Sequence, residues 1–188
     1  MRKLVALLFF SASLFAQTIP VPEGKPIMLD GKISRSEWSD AKELRLGTAV
    51  RLLCKQNNHD VLMAIEFVNS PTGTVDLYLS ASGSLYDLHA SAKLGERKLV
   101  NGVWPEEWNW WNNEQWVANV SRPDDWGKRT FKDEKVREFQ ISRSRFPGKS
   151  WKVFFEWMTP AESGWKTTPF PPEANNRSDK NWLVLQLD

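Results

Sequence analysis

The strongest constraint in this sequence is a two-residue rhythm. From Val50 onward, apolar and polar side chains exchange places over successive short runs. Val50, Leu52 and Cys54 alternate with Arg51, Leu53 and Lys55. Val61, Met63, Ile65 and Phe67 form one face of the next run, after a polar Asn57-Asn58-His59-Asp60 loop. Val75, Leu77 and Leu79 interleave with Asp76, Tyr78 and Ser80, and Tyr86 to Leu94 alternates without a break. Further runs cover about 116–120, 136–142, 151–157 and 182–187. Successive side chains on a strand point to opposite faces, so this period reads as half-buried β-strands. Short links make most of them antiparallel. The expected fold is all-β, an antiparallel two-sheet β-sandwich of jelly-roll type with one short N-terminal helix; a closed barrel is the alternative.

The segments that break the rhythm are few. Ile27–Leu29 reads as a short strand and Asp30-Gly31 as a turn. Ser34 to Leu44 reads as the helix, with Ser34 as cap and Glu37 three residues on. Thr159 to Lys180 is polar and proline-bearing and reads as a long loop. Ahead of all this, Arg2 and Lys3 precede an apolar run from Leu4 to Ala16. That run is short of the roughly 20 residues a membrane-spanning helix needs and has the parts of a secretory signal peptide. Cleavage after Ala16 would leave one domain, 17–188, secreted or periplasmic and without a membrane span. Its loss removes two cations, so 25 basic and 23 acidic residues become 23 of each. A chain with no net charge has no field to steer nucleic acid. Cys54 is alone and reads as a small buried hydrophobe.

Three segments resemble the family 9 carbohydrate-binding modules and their DOMON-like relatives. They are Leu29-Asp30-Gly31 followed by Glu37-Trp38 and Ala41; Asp76-Leu77-Tyr78-Leu79; and Arg137-Glu138-Phe139-Gln140-Ile141 with Phe146 and Trp151 to Phe155. The resemblance spans most of 27–157. It implies a β-sandwich that binds sugar between tryptophan side chains, with structural calcium in some members. The late strand departs from the family pattern, with Val136 where a Trp is usual and Ile141-Ser142 where Ile-Pro is usual.

Tryptophan is the compositional oddity: 11 residues against 2 tyrosines. Five of them fall between Trp104 and Trp116, interleaved with Asn, Gln and Glu. Indole faces cover the C–H faces of a sugar ring, and amides and carboxylates bond its hydroxyls. The expected ligand-binding residues are Trp108, Trp110, Trp111 and Asn112, together with Trp165 from the long polar loop. The competing structural reading makes this segment a helix started by Pro105, burying Trp104, Trp108 and Trp111 on one face and leaving Trp110 outside. Trp126 lies in a turn-rich stretch. Trp38, Trp151, Trp157 and Trp182 sit on periodic faces and read as core.

The sequence carries no nucleophile elbow, zinc-protease, phosphate-loop or dinucleotide motif, so no catalytic residue is assigned. His59 and His89 read as surface residues. Asp124, Asp125 and Asp30 read first as solvated turn residues and, with loop carbonyls, as the alternative ligands of a structural calcium; no other cofactor is expected. The function expected is a secreted, non-catalytic binding module for an oligo- or polysaccharide. The alternatives are an extracellular protein-interaction domain, with indoles as contact points, and a haem-binding module using Met63, Met158 or His89.

Overall fold

The alternating runs fold into two sheets packed face to face. The computed structural model describes residues 17–46, 48, 50–68, 73–110, 115–119 and 135–188; the signal segment, Trp111, Asn112, Asp124, Asp125 and Trp126 lie outside that set. In chain order the elements are β1 (Thr18–Pro20), α1 (Arg35–Trp38), β2 (Lys42–Leu46), β3 (Val50–Gln56), β4 (Asp60–Phe67), β5 (Thr74–Ala81), β6 (Ser84–Ala90) and β7 (Leu94–Lys98). Then come β8 (Asn109–Trp110), β9 (Trp116–Ala118), β10 (Val136–Ser142), β11 (Ser150–Ala161), β12 (Gly164–Phe170) and β13 (Leu183–Gln186). The large sheet has the order β1-β13-β11-β5-β6-β7-β8, with β12 also paired to β11. The small sheet has the order β2-β3-β4-β10-β9. Every pairing is antiparallel except that of β1 with β13.

The rhythm assigned the core correctly. Val50, Leu52, Cys54, Val61, Met63, Ile65 and Phe67 meet Val75, Leu77, Leu79, Leu88, Trp151, Val153, Phe155 and Trp157 in one buried layer between the sheets. Phe67 and Trp157 stack across it with ring centroids 3.8 Å apart. Met63 in this layer and His89 on the outward side of the large sheet are on opposite faces of the protein wall, so they cannot share a haem.

Several local expectations are corrected. The helix stops at Trp38, because the 42–46 segment pairs with β3, Lys42 opposite Cys54, and so becomes a strand rather than another helical turn. Residues 27–29 form no strand. The unbroken alternation from Tyr86 to Leu94 is two strands, β6 and β7. Ser91 N–H bonds the Lys93 carbonyl and Ser91 Oγ accepts the Lys93 N–H, a local turn that the alternation conceals. The stretch from Thr159 is not a loop at first: β11 runs on to Ala161 and returns as β12, registered Pro160 opposite Trp165. No helix forms over 104–110; β8 pairs with β7 there instead.

The opening and late segments singled out above converge on one side chain. Glu138, fully buried on β10, accepts the Gly31 N–H at 2.7 Å and the Trp38 indole N–H at 3.1 Å. Gly31 stands at φ 77°, where a side chain is strained, and its turn brings the N–H onto the carboxylate. Trp38 thus anchors the one-turn helix over Leu53, Leu62, Ala64 and Val136 on the outer side of the small sheet. On the outer side of the large sheet, residues 171–182 fold over Phe154 and Tyr78, with Ala174 and Trp182 buried against them.

Candidate ligand-binding face

The outer side of the large sheet is built by register. One row across it reads Glu156, Asp76, His89, Gly95, Trp110, one residue each from β11, β5, β6, β7 and β8. The next row reads Phe154, Tyr78, Asp87, Arg97. All are on the face that the alternation assigns to polar residues.

Trp108 and Trp110 close one end of this face. Their rings stack 5.6 Å apart at 27°. They lie directly on the backbone of Gly95: a Cβ added there would meet Trp110 at 2.9 Å and Trp108 at 3.1 Å. Gly95 is therefore required for close approach, not for an unusual backbone angle. The same strand geometry puts residues 108 and 110 on one side, where a helix would have separated them. Trp110 stays 42% exposed, so its ring is available to a ligand. Trp104 instead docks residues 171–182, its indole N–H donating to the Asn176 carbonyl at 2.9 Å.

Arg97 joins the indoles to the polar floor. Its guanidinium lies 4.2 Å from the Trp108 ring and 5.3 Å from the Trp104 ring, and its Nε donates to Asp87 Oδ2 at 2.8 Å. Asp87 has no exposed surface. Burial, reinforced by the nearby Asp76 charge, pushes its carboxyl up to about 8 against the pull of Arg97. Burial likewise raises the Glu156 carboxyl, opposed by the hydrogen bond from Tyr78. Burial, then the charges of Asp87, Asp76 and Glu156, raise the Tyr78 phenol, so Tyr78 is an O–H donor, to Glu156 Oε2 at 2.9 Å. Asn176 Nδ2 donates to the Tyr78 oxygen at 3.3 Å.

His89 is not an ordinary surface residue. Its Nδ1 is 2.5 Å from Asp76 Oδ1 and its Nε2 3.0 Å from Ser91 Oγ. Its ring sits 5.1 Å from Trp108 and 5.8 Å, edge-on, from Trp110. It couples the aromatic end to the acidic floor. His59 remains at an exposed hairpin tip, as expected.

Of the expected binding residues, Trp108 and Trp110 are brought together. Trp111 and Asn112 lie outside the described residues. Trp165 is on the same side of the large sheet, 57% exposed on β12, but five strands from β8, about 24 Å at the usual strand spacing. The sequence reading missed Asp76, Tyr78, Asp87, Arg97, Glu156 and Asn176. A partial signal was present: Asp76-x-Tyr78 and Asp87-x-His89 put unusually elaborate side chains on what the rhythm marks as a water face.

A concavity lined by Glu23, Gly24, Lys25, Asp40, Asn57 and Asn58 has no aromatic wall. Its Asp40 is occupied by the Lys25 N–H and the Lys55 ammonium, both at 2.8 Å. Among the described residues no group of three or more His, Cys, Asp or Glu side chains is arranged to hold a metal ion, and Asp30 is bonded to the Lys32 N–H. No helix among them is long and apolar enough to cross a membrane.

No protein-family model matches the sequence, and no curated protein does. The fold does have a counterpart among solved structures: a family 9 carbohydrate-binding module from Caldicellulosiruptor kristjanssonii, in complex with cellotriose. The TM-score is 0.58 at 14% identity, over 92% of this chain and 94% of that one. The chain thus has the β-sandwich fold of family 9 modules. The match concerns the family 9 part of the resemblance and does not extend to its DOMON-like relatives.

Proposed function

We propose that the protein is a non-catalytic carbohydrate-binding module whose ligand lies on the outer face of the large sheet. One observation carries the reading: a stacked, partly exposed indole pair, Trp108 and Trp110, stands beside a row of hydrogen-bonding groups on the same face. Stacked indoles cover the apolar side of a pyranose, while Asp76, Glu156 and His89 address its hydroxyls. Ligand sites commonly combine an apolar wall with a few placed polar groups. That the module sharing this fold was captured with cellotriose supports a saccharide. That it is a binding module supports the absence of catalysis here. Trp111 and Asn112 follow Trp110 directly and extend the same binding segment.

Export fits this role: residues 1–16 act as a signal peptide, leaving 17–188 as a single secreted or periplasmic domain. N-terminal sequencing of the exported protein should begin at Gln17.

Calorimetric titration with cellotriose and a panel of other oligosaccharides tests the binding reading. Trp108→Ala and Trp110→Ala should each weaken binding about tenfold or more, near the upper end of what an aromatic contact contributes, with circular dichroism unchanged. Binding that survives both substitutions, or no binding across the panel, would refute it. A second reading, contact with an extracellular protein, draws on Trp165, which is exposed far from the indole pair. Trp165→Ala should then leave oligosaccharide affinity unaltered; a loss would return Trp165 to the saccharide site.

A further inference from the structure

Two carboxylates meet on this face in a way a neutral sugar does not require. Asp76 and Glu156 are directly opposite each other on β5 and β11. Like charges in that position repel. Among the described residues neither has a Lys or Arg ion-pair partner. Arg97 is committed to Asp87, and Lys152 to Asp179 at 3.0 Å. Asp76 is held by His89, and Glu156 by the neutral Tyr78 hydroxyl. The aromatic wall has the same preference. The chain's own cations already gather at these indoles, the Arg97 guanidinium over Trp108 and the Lys93 ammonium 5.7 Å from Trp110. Indole faces and carboxylates both attract an ammonium group.

We propose that the ligand is a cationic saccharide, with free amino groups on its sugar units as in oligomers of glucosamine, its ammonium set between Asp76 and Glu156 and its ring against Trp110. This rests on the carbohydrate reading above and narrows it. The protein's charges nearly cancel overall, so its net charge does not draw amines to it.

Calorimetry at about pH 6 compares three trisaccharides on the intact mature chain: cellotriose, N-acetylated chitotriose and its fully deacetylated form. The deacetylated form should bind at least about tenfold tighter than the other two, because a charge-assisted hydrogen bond replaces a neutral one. Raising salt should erode that advantage. In the double variant Asp76→Asn/Glu156→Gln the preference should fall below about threefold. The preference at wild type stands as a test even where the variant does not fold. Equal affinity for cellotriose and the deacetylated trisaccharide overturns the amine while leaving the carbohydrate reading intact. A preference that persists in a folded double variant also overturns it. Failure of all three sugars and of the wider panel overturns both.

Discussion

Gly95→Ala separates the indole pair's role in binding from any role in holding the fold together. The added methyl would stand 2.9 Å from Trp110 and 3.1 Å from Trp108. Carbon atoms settle at about 3.5–4.0 Å, so the rings must lift by about 0.6–1.1 Å. A gap of that size forfeits about a quarter to a half of each contact's attraction to the strand beneath. Against this loss, alanine in a strand interior is favoured over glycine by about 0.5–1 kcal/mol. The two nearly offset, so stability should change by no more than about 1 kcal/mol, or about 2–4 °C in Tm for a domain of this size. Ligand affinity has no such compensation. A displaced indole pair no longer fits the sugar ring, and a tenfold loss corresponds to about 1.4 kcal/mol. Thermal denaturation, tryptophan fluorescence and titration with cellotriose read the three quantities together. Shifted fluorescence with affinity unchanged would show that the indoles do not touch the ligand. Unchanged fluorescence would show that the rings do not rest on Gly95.

Other outcomes follow from buried groups. Glu138→Gln puts an amide donor where the carboxylate accepts from Gly31 and Trp38; it should cost about 1–3 kcal/mol, seen as a lowered urea midpoint, with saccharide binding unaffected. Asp87 gives a pH dependence of definite sign. With a folded carboxyl near 8 and an unfolded one near about 4, the native state holds a proton that the unfolded chain has released. Its stabilising contribution is therefore complete below about pH 4 and is lost as pH rises through about 8. Asp87→Asn should flatten that decline in urea midpoints measured between those limits; parallel wild-type and variant profiles would contradict it. Burial pushes the Cys54 thiol up to about 12, so a thiol reagent at pH 8 should label the protein only after denaturation.

The sandwich was legible because its information lies along the chain. Val61, Met63, Ile65 and Phe67 declare an inward face without reference to any other strand, and each is buried. Failures came where a local signal competed. Pro105-Glu106-Glu107 has the chemistry of a helix start, yet pairing of β8 with β7 sets the local geometry. Residues 86–94 keep perfect alternation through a turn. The binding face was legible only in its aromatics. Asp76 and Glu156 are far apart in sequence and meet only once β11 is registered against β5. No spacing within either segment foretells that meeting.

The row Glu156, Asp76, His89, Gly95, Trp110 takes a single letter from each of five strands, with core residues on either side of most of them. Each letter can be exchanged without altering the inward pattern that specifies the sandwich. A surface composed this way is a panel of separable positions, so recognition can be rewritten one substitution at a time while the scaffold persists.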